Sequence, residues 1–362
     1  MKHSQHDFAL ILAWPETTIR GDEKWMMVFR KIGWVKNLNF KVGHTGIVLV
    51  DGKCGELHYY DFGRYIAPRG LGRARSRDSD PRLRLRTIAR FDPSNDQIQN
   101  LNEICEELEI LKGPFQTHGK LYFSISEKIS FKRAKQYADQ IVRMGSTLYG
   151  AFAPGNNNCS RFITRLLTNA TQQYHRFHGI RLPETIKSSP LSNLVNARKD
   201  RQVYIYDSKW GLSTTKLSRW GSIKLLYHHL KDNFNSEACS DLADDRIIGS
   251  MEEKPRPIGL PCKAQWLGGV GEGAWYHLES TEKSSCFKVS RYTESGEIDY
   301  VRDFHCQYTF DPRLPFTFQY DSHGLWTTLE QGGNTIRMHA LPVEKDSSVE
   351  LSLPLRMAQN SY

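Results

Sequence analysis

The sequence predicts an α+β protein in two units: an antiparallel sheet packed on a helix that opens at Cys159, then a small antiparallel β domain of barrel or sandwich type. Three observations carry that expectation. At 362 residues the chain exceeds the ~100–200 residues of one ordinary domain. Its first half mixes β-prone runs with stripes of helical period. Beyond residue 261 it holds only short alternating runs cut by turn signals such as Ser295-Gly296 and Gly332-Gly333.

The apolar run from Phe8 to Trp14, ended by Pro15, reads as a buried first strand. Asp22 then caps a helix that turns Trp25, Val28, Phe29 and Ile32 inward as far as Gly33. Residues 41–50 form a strand, Asp51-Gly52 a turn and Glu56 to Tyr60 the start of a second strand, making a hairpin with His44 near its open end. In the arginine-rich stretch 64–90, Leu83 and Leu85 alternate with Arg82, Arg84 and Arg86, the pattern of a half-buried strand whose arginines face solvent. Helices are expected from about Asn95 (Ile98, Leu101, Ile104, Leu108, Leu111) and from Ser130 (Ala134, Tyr137, Ala138, Ile141), with a strand at 121–125 between them. Residues 153–158 (Ala-Pro-Gly-Asn-Asn-Asn) can only be a loop, and Cys159 opens a helix carrying Phe162, Ile163, Leu166 and Leu167. Val203 to Tyr206 is strand-like and Ser218 to Leu230 helix-like. A polar, acidic, Pro-containing stretch follows, so the expected division is a first unit over 1–240, a linker over 241–260 and the β domain over 261–362.

Hydrophobic residues make up 39% and charged residues 25% of the chain, which excludes a disordered protein. The net charge of +9 comes from Lys and Arg interleaved with Asp and Glu, so nucleic acid is not an expected partner. Seven cysteines form no CxxC pair, and an odd number leaves one unpaired, which favours a reducing compartment. The first apolar run is too short to span a bilayer and lacks a small-residue cleavage site, so no transmembrane segment and a cytoplasmic location are expected. The run from Gly268 to Gly273 looks like a dinucleotide loop, but strand-like residues 274–278 follow where a helix should. His44, Cys54 and His58 lack metal-ligand spacing, so no cofactor or metal is expected, and oligomeric state is left open.

The chemistry concentrates at two positions. A nucleophilic cysteine reacts as the thiolate, which is favoured where helix N–H groups point at the sulfur and an imidazole stands beside it. Cys159 meets the first condition by its place, and loop N–H groups including its own are candidates to bind an oxyanion. His44, within Gly43-His44-Thr45-Gly46, can supply the imidazole from a rigid strand. The second strand of the hairpin then supplies the group that orients the imidazole. A four-residue connection that lets Val50 face Gly55 pairs His44 with Asp61, and a two-residue turn that pairs Val50 with Lys53 slides the second strand so that His58, next to the facing Tyr59, is the alternative. Gly52 and Gly55 favour the longer loop and hence Asp61. Asn158, Tyr60 and Arg64 are the candidate substrate-binding residues, whereas Phe62 and Tyr65 read as core.

Gly43-His44-Thr45-Gly46-Ile47-Val48-Leu49 followed by Asn158-Cys159-Ser160-Arg161-Phe162 resembles the circularly permuted branch of the NlpC-type papain-like peptidases. That branch includes the lecithin–retinol acyltransferase-like proteins, in which a strand His precedes an Asn-Cys-x-x-Phe helix start. The resemblance covers roughly residues 8–170, and it implies an antiparallel sheet packed on the Cys helix and a thiol hydrolase or acyltransferase activity. The chain departs from the acyltransferase pattern where Tyr59-Tyr60-Asp61-Phe62-Gly63-Arg64-Tyr65 stands in place of a strand carrying a second His. Three functions follow as expectations: hydrolysis of a peptide, other amide, isopeptide or ester through a Cys159 thioester, acyl transfer from that thioester, or partner binding on a papain-like scaffold with Cys159 incidental. Peptidoglycan, a substrate of many relatives, is not expected without an export signal.

Overall fold

The computed structural model describes residues 7–21, 23–94, 97–150, 155–171, 189–198, 200–242 and 253–342. The chain divides into two compact units, one of residues 1–250 with 269–272 and the other of residues 251–268 with 273–362. Residues 231–242, placed near the boundary by their polarity, belong to the first unit. There the fully buried Asn233 donates through its side-chain amide to the carbonyls of Asn37 (2.7 Å) and Asn39 (3.0 Å).

The first unit runs β1 (Asp7–Trp14), β2 (Ile19–Arg20), α1 (Lys24–Lys31), β3 (Asn39–Phe40), β4 (His44–Val50), β5 (Leu57–Gly63), β6 (Leu71–Ser76), α2 (Leu101–Ile110), α3 (Lys112–Phe115), β7 (Leu121–Ile129), α4 (Phe131–Met144), β8 (Thr147–Leu148), α5 (Cys159–Ala170), α6 (Pro190–Ala197), β9 (Gln202–Asp207), β10 (Gly211–Lys216) and α7 (Arg219–Leu230). Eight of these strands form one antiparallel sheet in the order β10-β9-β7-β1-β4-β5-β6-β8. Its centre, β1 and β4, is buried along its length, which is why both read as near-continuous apolar runs. On one face Leu10, Leu12, Val48 and Tyr59 pack with Ile104, Leu108 and Phe115 of α2 and α3. The other face carries α4, α5 and α6, with the Phe162 ring 6.1 Å from that of Phe62. The Cys-bearing helix thus lies against an antiparallel sheet, the α+β layout expected.

Local differences from the sequence reading have local causes. In α1 Met26 and Phe29 turn inward against Val35, Leu38 and Phe40, whereas Val28 and Ile32 are 57% and 66% exposed. This short helix covers only a satellite cluster and has no second surface to bury against; Asp22 and the Trp25 side chain lie outside the described residues. Helix α2 begins six residues later than its stripe suggested, because Ile98 bridges back to Phe91 and Asn100 stands at the N-cap position. Residues 82–86 are not a strand: Leu83 ends a short 3-10 turn over Pro81–Leu83, and its alternation with Arg84 and Leu85 is that of an extended segment laid on the core.

The second unit is a seven-stranded antiparallel sheet in the order β11-β12-β13-β14-β17-β16-β15, from β11 (Gln265–Gly268), β12 (Gly273–Ser280), β13 (Cys286–Tyr292) and β14 (Ile298–Cys306) to β15 (Thr317–Phe318), β16 (Trp326–Gln331) and β17 (Asn334–Ala340). Its two edge strands are clasped by one side chain: the Gln265 amide donates to the Phe316 carbonyl and accepts from the Phe318 N–H, each at 2.9 Å. An edge that would expose unpaired backbone is thereby nearly closed into a barrel. The glycine-rich run 268–273 is the β11–β12 turn, with Gly268 paired to Gly273. Among the described residues no helix is long and apolar enough to cross a membrane.

Phe115 is fully buried, stacked 4.0 Å from the Tyr59 ring and 5.8 Å from that of Trp14. Phe115→Ala is expected to cost about 3–5 kcal/mol of stability, read from the urea midpoint of the full chain, because the cavity it leaves borders the buried strands β1 and β5.

Candidate active site

His44 is the first residue of β4 and Cys159 the first of α5, so imidazole and thiol both stand at the ends of their elements. The turn into β4 needs Gly43, whose φ is +82° and where a Cβ would lie 2.9 Å from the Pro15 backbone. The helix start is fixed by Asn158: its side-chain oxygen accepts from the Arg161 N–H (2.8 Å) and its amide donates to the Gly150 carbonyl (3.2 Å). By helix geometry the N–H groups of Cys159 and Ser160 are left pointing out of this terminus.

Strand pairing differs from both expected registers. Val50 faces Leu57 and Gly46 faces Asp61, so the β4–β5 connection is six residues long and His44 lies diagonal to Asp61. The difference from the four-residue expectation is two residues, which preserves the face, and Asp61 stays on the His44 side of the sheet. His58 alternates to the other face, where its Nε2 meets the Glu56 carboxylate at 3.0 Å and its ring packs edge-on against Phe131. Burial pulls its pKa below the ordinary value, and it takes no part in orienting His44. Tyr60 is on that same far face, its hydroxyl donating to Asp139 at 2.8 Å. The structure therefore brings together His44, Asp61, Cys159, Asn158 and Arg64, and sets His58 and Tyr60 apart.

The nearest partner of His44 Nε2 is a residue read from sequence as core. The Tyr65 hydroxyl lies 3.2 Å from Nε2, against 3.5 Å for Asp61 Oδ2. Burial, followed by the Asp61 charge, keeps the Tyr65 phenol protonated against the opposing influence of Arg75. It therefore donates to Asp61 Oδ2 (2.6 Å), and its oxygen is the atom that faces the imidazole. Chain geometry brings it there: a Cβ on Gly63 would lie 2.8 Å from the Tyr65 ring, so the segment after β5 folds back over that glycine. Gly63-x-Tyr65 after an acidic strand residue is the signal that could have found it. Gly46 serves likewise, since a Cβ there would sit 2.7 Å from the Tyr59 hydroxyl, which donates to Asp61 at 3.0 Å.

Asp61, fully buried, is also paired with Arg75, directly opposite it on β6, through Nε (3.1 Å) and Nη2 (2.8 Å). The Arg75 guanidinium lies 3.4 Å over the Tyr65 ring and reaches Asp80 at 3.3 Å. Arg75 is thus a buried structural cation, not a member of a solvated arginine face. Burial would raise the Asp61 pKa, but the charge of Arg75 and the His44 and Arg75 hydrogen bonds hold it far below the carboxylate range. At His44 burial opposes the charge, yet Asp61 and the hydrogen bond to Cys159 push the pKa up to about 9. At Cys159 burial likewise opposes ionisation, and the hydrogen bond and charge of His44 outweigh it and lower the thiol pKa, aided by Ser160. With Nε2 turned to Tyr65 and Asp61, Nδ1 is the nitrogen left for the sulfur. Among the described residues no group of three His, Cys, Asp or Glu could hold a metal.

An antiparallel sheet thus supplies the His and a packed helix the Cys, with His before Cys in the chain. Residues 9–176 match the family model described as Type VI secretion system effector TseH-like, and residues 264–341 match that of the DUF6695 C-terminal domain. A solved structure of the Type VI secretion system effector TseH aligns at 16% identity and a TM-score of 0.40, covering 59% of this chain and 100% of that one. No curated protein matches.

In a turnover assay the acid limb of the pH profile reports Cys159 ionisation and the alkaline limb loss of the His44 proton, whereas thiol labelling reports the acid limb alone. Tyr65→Phe removes a hydrogen bond to a charged group, worth about 1.5–3 kcal/mol or about 1–2 pH units. Less support for the imidazolium lowers the His44 pKa, so the alkaline limb moves to lower pH and the acid limb to higher pH. His58→Gln leaves both limbs in place. A Tyr65→Phe profile that matches wild type while that of Asp61→Asn shifts would assign the orientation to the carboxylate directly. Arg75→Met strands the Asp61 carboxylate without its cation and is expected to cost about 3–5 kcal/mol in urea denaturation.

Proposed function

We propose that this chain is a thiol hydrolase that cleaves an amide, isopeptide or ester through a thioester on Cys159. The observation that carries the reading is the placement of His44 at the start of β4 and Cys159 at the start of α5, where the imidazole, held by Tyr65 and Asp61, has its pKa raised to about 9 and lowers that of the thiol, which favours the imidazolium–thiolate pair. The thiolate attacks the carbonyl carbon and forms a C–S bond while the carbonyl electron pair moves to oxygen, which the N–H groups at the start of α5 stabilise. On collapse the C–N or C–O bond breaks, and the leaving amine or alcohol takes the proton of His44. Neutral His44 then removes a proton from water, whose oxygen attacks the thioester, releasing the acid and restoring the ion pair. Tyr65 and Asp61 hold the ring in place through both halves, and Asn158 acts by fixing the helix start. The match of residues 9–176 to a secretion-effector family supports a protein that acts where it is delivered.

Iodoacetamide labelling at pH 6–7 with site-resolved mass spectrometry tests the reading. Cys159 is expected to react at least ~10-fold faster than the exposed Cys54 and Cys262. Cys159→Ala is expected to remove all hydrolysis with the thermal midpoint kept within a few degrees. Labelling of Cys159 no faster than of the exposed thiols would return the chain to a binding role.

A further inference from the structure

The Cys159 thiol lines a cavity of about 500 Å³ in the first unit. Its walls are mostly hydrocarbon: Met26 and Phe29 of α1, Phe40 of β3, Leu226 and Leu230 of α7, and Phe234. Trp34 and Phe234, 61% and 48% exposed and in edge contact, continue the apolar lining outward. Arg20 and Glu23 also line the cavity, at the β2 end and before α1, whereas three other polar side chains that reach it are committed to the fold. Arg64 donates to the Arg20 carbonyl and lies 5.1 Å over the Tyr149 ring. Asn158 caps α5, and Ser189 forms the capping box of α6 with Ser192.

A peptide or glycan drawn into such a space would leave donors and acceptors without partners, at about 1–3 kcal/mol each. Each methylene buried there is favourable. We propose that the cavity binds a large apolar group carried next to the scissile carbonyl, so that the substrate is a hydrophobic ester, thioester or amide. The proposal rests on the thiol-hydrolase reading for the reaction, while the binding preference stands on the cavity alone. A predominantly apolar pocket of this volume with a reactive group at its wall is the form of a small-molecule or acyl-group site.

The test uses N-methyl-, N-butyl- and N-hexylmaleimide on the full chain. The rate at Cys159 is resolved by mass spectrometry and divided by that of glutathione with the same reagent; iodoacetamide is run in parallel. The normalised rate is expected to rise about 30-fold from methyl to hexyl, about twofold per methylene and half of what complete burial would give. Leu226→Trp, a half-buried wall position on α7, fills the cavity and is expected to flatten the series to less than ~3-fold, whereas Leu226→Ala keeps it steep. A flat wild-type series overturns the apolar site, and with fast iodoacetamide labelling it leaves the hydrolase reading standing. A steep series with slow iodoacetamide labelling supports the site and removes the hydrolase reading. A series that stays steep in Leu226→Trp overturns the assignment to this cavity.

Discussion

The buried carboxylate of Asp61 is the constraint on which the arrangement of the first unit depends. An ionised carboxylate with no solvent contact is tolerated only when paired and hydrogen-bonded. Here Arg75 stands directly across the strand pair, and two tyrosine hydroxyls donate to the same group. Satisfying that charge pins the β5–β6 register, requires a residue without a side chain at Gly46 to admit the Tyr59 hydroxyl, and folds the chain back at Gly63 to bring Tyr65 in. The negative charge so held is what the imidazole meets, partly through a phenol. A carboxylate neutralised by its own arginine would support an imidazolium weakly, and the Tyr65 hydroxyl keeps the two in contact at hydrogen-bond length.

The second requirement is that groups on different elements meet. Asp61 lies on the sheet face that packs on α2 and α3, whereas α5 covers the face that carries Phe62. Only residues at element ends can join the two, and both His44 and Cys159 are first residues. The caps and turns before them, Gly43 and Asn158, therefore matter as much as the reacting atoms. The same helix start presents the thiol to a mostly apolar cavity. Electrostatic effects on a charged intermediate are strengthened in such surroundings.

How much of this could be read in advance varies by residue for physical reasons. Cys159 and His44 were legible because loop composition, capping preference and β propensity are local. Asp61 was found by a register that was off by two residues, an error that parity forgives; an odd slip would have exchanged it for the other face. Tyr65 and Arg75 were not legible as site residues. A buried tyrosine and an arginine in a basic stretch look like core and surface until the strands are paired. The helix at Lys24–Lys31 was placed, but its inward side was not, since its stripe is wider than the cluster it covers.

By itself the sequence determined the class of fold, the order of strand His and helix Cys, and the strand and turn rhythm of the C-terminal β region. These follow from period, capping and turn chemistry, which act over a few residues. Tertiary structure alone decided which neighbours the imidazole has, that an arginine is buried against a carboxylate, that Gln265 closes the edge of the second sheet, and that hydrocarbon lines the approach to the thiol. Each depends on contacts between residues far apart in the chain, whose pairing is set by the global fit of faces and lengths, and no local pattern encodes that fit.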